Sequence, residues 1–238
     1  MSRTFMRFFG GKPKALTFSY DDGVTQDRKF IEMLDKYNLK CTFNLNSELL
    51  GTDGTLTHNG VTCSHNKVSP DEVKELYKNH EVAVHTLTHP RLPDIADDAE
   101  IIRQVEKDRE NLSKLCGYEV IGMAYPCGGV NNDDRVAELI KNNTGVKYSR
   151  TITSSYSFDE QTNLYRFNPT LHHVDVDGMF KLAGQFIEMK PEKPQIFYIW
   201  GHTYEFDLFN TWEKMDEFLR LISGHDDIFY GTNKEVLL

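Results

Sequence analysis

Nowhere in this 238-residue chain do eighteen apolar residues run together, which excludes a hydrophobic membrane-spanning helix and argues against membrane insertion. The stretch from Ser2 to Gly11 is positively charged, but its apolar run is too short for an export signal. On the sequence as given a cytoplasmic protein is expected, and an extracellular one if a leader has been removed. Positive charge is in deficit: 27 Lys and Arg stand against 36 Asp and Glu, a net charge of -9. Nucleic acid is therefore not an expected partner, because phosphate binding needs a basic face. Cysteine is scarce too. Cys41, Cys63, Cys116 and Cys127 are too few for a disulfide scaffold and lack metal-binding spacing, so they read as free thiols, with Cys127 the one nearest to chemistry. Repeats, heptads and low-complexity tracts are also missing, which excludes solenoids and coiled coils.

What is present is an alternation of strand-like and helix-like segments in a chain long enough for one substantial core. Strands are predicted at 15–19, 40–44, 81–84, 120–124, 146–150, 170–174, 195–200 and 227–230. Helices are predicted at 27–37, from Ser69 onward, 97–116, 133–143, 178–189 and 211–223. Six or seven βα units suggest a closed or nearly closed parallel barrel, with a doubly wound open sheet as the alternative. Polar residues at strand ends favour the barrel, whose strand C-termini share one crater. The loop 47–67, rich in Gly, Thr, Asn and His, is long for a compact domain and reads as a lid or substrate wall.

Those strand ends carry the chemistry. Asp21 and Asp22 follow one strand; their side chains diverge, so one can bind a metal while its neighbour addresses water. Asp27 reads as a helix cap or first-turn anion. His85 and His89 follow another strand, and a helical turn there would put both imidazoles on one side. One carboxylate and two imidazoles make a divalent-metal site with room for water, suited to Zn²⁺, with Co²⁺, Ni²⁺ or Fe²⁺ as alternatives. Tyr125-Pro126-Cys127-Gly128-Gly129 reads as a groove-building turn whose Tyr125 amide is free to meet an oxyanion. His202 is placed to protonate a leaving amine, with Glu205 and Asp207 close in sequence to raise its pKa. His172 and His173 would face opposite ways in a strand. His58 and His65, in the long loop, are expected to be exposed.

From about Leu16 to His202 the chain resembles the polysaccharide deacetylases of the NodB-homology type, carbohydrate esterase family 4. Thr17-Phe18-Ser19-Tyr20-Asp21-Asp22-Gly23 is similar to the family's first motif and His85-Thr86-Leu87-Thr88-His89 matches its second. The resemblance implies a distorted (β/α)7 barrel as a single catalytic domain over 1–238. It implies Asp21 as general base, with Asp22, His85 and His89 as metal ligands. His202 would be the general acid, and Trp200 would wall the acyl pocket. It further implies an acetylated amino sugar or oligosaccharide as substrate; a small acylated amine is the alternative, and an inactive glycan-binding protein a third reading. Two motifs depart from the pattern. Ala124 stands where the family has an arginine that orients the base, and Arg150, on the next predicted strand, is the expected replacement. The family's fourth motif is absent, and Asp175 is the expected support for His202. Oligomeric state is not readable from the sequence.

Overall fold

The computed structural model describes residues 7–238. Its strands are β1 (Lys14–Asp21), β2 (Cys41–Leu45), β3 (Thr55–His58), β4 (Val61–Ser64), β5 (Glu81–Val84), β6 (Gly122–Ala124), β7 (Tyr148–Arg150), β8 (Leu171–His172), β9 (Gln195–His202) and β10 (Ile228–Tyr230). The α-helices are α1 (Asp27–Lys36), α2 (Val73–Leu76), α3 (Asp98–Cys116), α4 (Asp134–Asn143), α5 (Val176–Glu188), α6 (Glu205–Leu208), α7 (Trp212–Ile222) and α8 (Asn233–Leu237). All strands but β3 and β4 form one parallel sheet in the order β7-β6-β5-β2-β1-β9-β8. β10 pairs with the first half of β1, ahead of β2, as Lys14 to Leu16 lie opposite Ile228 to Tyr230. The free edge of β7 is bonded to the segment before β8, with Phe167 N–H donating to Ser149 O and Thr151 N–H to Phe167 O, both at 2.9 Å. The result is a curled, open parallel sheet flanked by helices, a distorted barrel in which β10 is an eighth strand beside the seven that the resemblance implies. No helix among the described residues is long and apolar enough to cross a membrane.

Period-two alternation explains why the two faces differ. On β1, Leu16, Phe18 and Tyr20 point toward the helices, where Phe18 meets Phe30 of α1 and Phe218 of α7 edge to face. Each ring buried this way contributes about 1.5–3 kcal/mol. Thr17, Ser19 and Asp21 point instead into the curl, whose filling is polar and paired. Glu81 accepts from Thr42 Oγ1 at 2.8 Å and Tyr148 Oη at 2.9 Å, and Thr17 Oγ1 donates to Asn233 of α8 at 2.8 Å. Such groups are tolerated inside because they have partners.

Helix ends follow the sequence signals. Asp97 and Asp133 accept from Ala99 N and Val136 N, and α3 stops at Gly117 in the left-handed region, φ 79°. The Ser69 signal yields less than a helix from that point: Glu72 accepts from Ser69 N at 3.0 Å, but only the single turn α2 follows. The long loop holds the hairpin β3–β4, turned at Asn59-Gly60 with φ 49° and 81°. Asn-Gly is the preferred pair for a two-residue turn that needs positive φ twice.

Candidate metal centre and active site

β1 runs two residues further than predicted, so Asp21 is its last residue, pointing into the curl, and Asp22 follows it with φ 84°. That left-handed step turns the second carboxylate back toward the first, so the two line one cavity rather than diverging. Gly23, at φ 60°, continues the turn, and a Cβ there would lie 2.6 Å from Leu45 Cδ2. His85 and His89 converge by a similar device. The chain after β5 is not a helical turn; Thr86 and His89 are both left-handed, φ 69° and 60°, and Thr86 Oγ1 accepts from His89 N at 3.1 Å.

Asp22 Oδ1 lies 3.8 Å from His85 Nε2 and 3.5 Å from His89 Nε2. This spacing suits three atoms arranged round one ion. His85 Nδ1 is fixed on the Ala124 carbonyl at 2.9 Å, which leaves the Nε2 lone pair for a metal. Burial, opposed by the Asp21 carboxylate, brings His85 down to about 4, and His89 is lowered for the same chief reason, burial, so both imidazoles are neutral as ligands must be. Burial alone would raise Asp22, but His65 and Lys67 hold it well below the usual carboxylate range. The donor set therefore fits a divalent cation.

His65 corrects an expectation. It is not loose in solvent: the hairpin carries it to the cavity, where Nε2 lies 3.1 Å from Asp22 Oδ2. Lys67 Nζ donates to the Asp22 carbonyl at 2.9 Å. His58 is on the exposed hairpin, away from the cavity lining. Asp27 is the first-turn acid of α1, as expected, and it is buried; it accepts from Tyr77 Oη at 2.7 Å and Thr203 Oγ1 at 2.6 Å, and burial lifts it to about 7.

Asp21 is held from two sides. Arg150 Nη2 lies 2.5 Å from both carboxylate oxygens, and Asn44 Nδ2 donates to Oδ1 at 2.8 Å. Arg150 is fully buried, donates also to Ser19 Oγ and the Thr151 carbonyl, and lies 4.7 Å over the Trp200 ring. In the β6–β7 pairing it stands directly opposite Ala124, so the guanidinium enters from one strand over at the same level. Burial would raise Asp21, yet Arg150, then His85 and His202, outweigh it and hold the carboxylate below its usual range.

Two assignments fail. The Tyr125 amide is not free for an oxyanion: it extends the β6–β7 ladder and donates to Arg150 O at 3.0 Å. Asp175 does not support His202. It caps α5, accepting from Gly178 N at 3.0 Å, with Tyr156 as its other neighbour. Glu205 takes that place, three residues past His202 on the first turn of α6. Its Oε2 accepts the His202 N–H at 2.9 Å and lies 3.1 Å from His202 Nδ1. Burial opposes charge on His202, but Glu205, then Asp22 and Asp21, raise it to about 9. His172 and His173 do not face opposite ways either. Only His172 belongs to β8, and both rings turn to the same carboxylate.

The cavity these groups share has a volume of about 310 Å³, with Leu56, Tyr125, Cys127, Gly128, Ile152, Trp200 and Tyr204 completing its walls. Cys127 Sγ lies 3.6 Å from His89 Nδ1, but burial raises its thiol, which marks a wall rather than a nucleophile. Two neutral imidazoles with a carboxylate, a second carboxylate clamped by a guanidinium, and a charged imidazole on a glutamate make a set consistent with metal-dependent amide hydrolysis.

The polysaccharide deacetylase family model matches residues 10–149. Among solved structures, a putative polysaccharide deacetylase from Mycobacterium smegmatis superposes with a TM-score of 0.66 at 13% identity, over 97% of this chain and 91% of that one. The Bacillus cereus polysaccharide deacetylase BC0361 gives 0.50 at 22% identity, over 63% of this chain and 44% of that one. The Streptococcus pyogenes deacetylase PplD, solved with acetate, gives 0.51 at 20%, over 63% and 61%. The chain thus spans less than two thirds of the last two, and likeness at these identities concerns the fold. No protein with a curated description matches. A family match across more than half the chain, on a fold that known deacetylases share, places this chain in the polysaccharide deacetylase family.

Proposed function

We propose that the chain hydrolyses an N-acyl amide, releasing a small acid such as acetate from an amino sugar or glycan. The observation that carries this reading is the grouping of Asp22, His85 and His89 beside an arginine-held Asp21, with His202 in the same cavity and Glu205 3.1 Å from its Nδ1. Asp22, His85 and His89 would hold a divalent ion, which we assign as Zn²⁺, with Co²⁺, Ni²⁺ or Fe²⁺ fitting the same donors. When bound, that ion supplies Lewis acidity, easing loss of a proton from water and polarising the acyl carbonyl.

The chain's own residues do the rest. Asp21, ionised and fixed by Arg150, receives the proton that water gives up as it adds to the acyl carbon. His202, kept protonated by Glu205, passes a proton to the departing nitrogen as the C–N bond breaks. One water is consumed, and a carboxylic acid and an amine leave. Because the Tyr125 amide is engaged, no donor from that residue stabilises the oxyanion. Trp200 and Ile152 give the cavity an apolar wall for the acyl group. The test is a screen of the metal-loaded protein on acetylated chitooligosaccharides, peptidoglycan fragments and small acylated amines. Acid release from the sugars supports the reading. Release from small amines alone would move the substrate away from sugars, and release from none would leave a metal-containing binding protein.

A further inference from the structure

We propose that His173, backed by Tyr20 and aided by His172, is a positioning residue that fixes Glu205 and through it His202. The proposal rests on the reading of His202 as the proton donor. Four nitrogens gather round Glu205 Oε2: His172 Nε2 and the His202 backbone N–H hydrogen-bond it at 2.9 Å, and His173 Nε2 and His202 Nδ1 lie 3.1 Å away, within ion-pair distance. His173 is nearly inaccessible, and its other ring nitrogen lies 2.7 Å from the Tyr20 hydroxyl. One tautomer serves both contacts. The hydroxyl donates to Nδ1, which leaves the proton on Nε2, facing Glu205.

The ring has nowhere else to go. It lies 5.3 Å from the Tyr20 ring and 4.5 Å from Phe206, and stacks on His172 with 9° between the planes. Its fourth side is the backbone of β9 at Gly201, where a Cβ would come within 2.7 Å of Nδ1 and Cε1. Glycine at 201 is therefore what admits an imidazole behind the one at 202. His172 is held in turn by stacking on Trp200 at 4.2 Å. A second metal ion is a poorer account of these residues. The nitrogens surround one atom, Oε2, two of them hydrogen-bonded to it, and one of those two is a backbone N–H that no metal can use. A cation there would also compete with charged His202 for Glu205.

Fixing one carboxylate matters because the His202 side chain contacts it only through Nδ1. A rotated Glu205 would leave that ring misaimed, the kind of loss that lowers turnover more than binding. The test compares His173→Phe, Glu205→Gln and the double variant, all metal-loaded. Readouts are kcat, KM, metal content and the ¹⁵N imidazole resonances of His202. His173→Phe should lower kcat roughly tenfold with KM and metal content unchanged. In the Glu205→Gln background it should cost little more, since both act through the same contact. The His202 resonances should move in each variant. If His173→Phe fails to fold, Tyr20→Phe removes the hydroxyl alone and should shift the same resonances. Full multiplication of the two kcat losses, unchanged His202 resonances, or loss of a second metal equivalent in His173→Phe would each overturn the proposal. A wild-type protein inert on every amide would sink the hydrolase reading instead, while the resonances would still report on positioning.

Discussion

Removing the Arg150 guanidinium should make stability depend on pH in a way the intact protein does not. Arg150→Met keeps most of the side-chain volume but leaves Asp21, only 2% exposed, with Asn44 as its main remaining partner. Breaking a buried pair from one side costs about 3–5 kcal/mol, because the remaining charge is unpaired. That is a large share of the ~5–15 kcal/mol that holds a domain together. In the intact apoprotein the Asp21 pKa is depressed, so the pair's stabilisation is present above the unfolded carboxyl pKa and lost as pH falls through the folded one. In the variant only the weaker pull of His85 and His202 opposes burial, so the Asp21 pKa should rise, and lowering the pH neutralises the stranded charge and recovers stability. The gap between the two proteins should be widest near pH 8 and narrowest near pH 4, read by urea unfolding of the apoproteins. The acidic limb of the metal-loaded pH–rate profile should move upward, and Arg150→Lys, which keeps charge without the fork, should fall between. An equal gap at both pH values would mean that the side chain only fills space, and an unmoved acidic limb would refute its hold on Asp21.

Asp21→Asn should keep metal content and lose kcat, whereas Asp22→Ala should lose both; equal metal loss in the two would undo the division of labour, as metal analysis beside kinetics would show. Glu205→Gln should bring the alkaline limb of the rate profile down, since the wild-type His202, raised to about 9, stays protonated below that value and loses its proton as pH rises through it. An alkaline limb that stays in place would detach Glu205 from His202. Asp27, raised by burial to about 7 although Thr203 and Tyr77 offset part of the effect, binds its proton more tightly folded than unfolded, so it costs stability increasingly as pH climbs from about 4 to 7. Asp27→Asn should therefore match the wild-type melting temperature near pH 4 and exceed it near pH 8, and a variant less stable at both would show that its hydrogen bonds need the carboxylate.

Elements made by local pattern were legible. The apolar runs of β1 and β9, the aspartate caps and the glycine stop at Gly117 specify themselves within a few residues, and both motifs sit at strand ends. What the sequence hid depends on backbone twist or on distant partners. The left-handed steps at Asp22, Thr86 and His89 place carboxylates and imidazoles that a strand or helix period places wrongly. Tyr125 looked available because Pro126 follows it, but β7 claims its amide across 25 residues of chain. His65 reaches Asp22 only because a hairpin forms, and Asn59-Gly60 was the local signal for that hairpin. Glu205 was visible as an acid three residues past His202; the short helix α6 that turns it back was not.

Acid release measured against bound metal tests the central claim most directly. Protein stripped by a chelator, then reloaded with Zn²⁺, should regain a single divalent ion per chain together with hydrolysis of an N-acetylated amino sugar. Asp21→Asn should regain the ion without the hydrolysis. A chain that binds the ion and releases acid from no amide, or one that works equally well when stripped, would contradict the account.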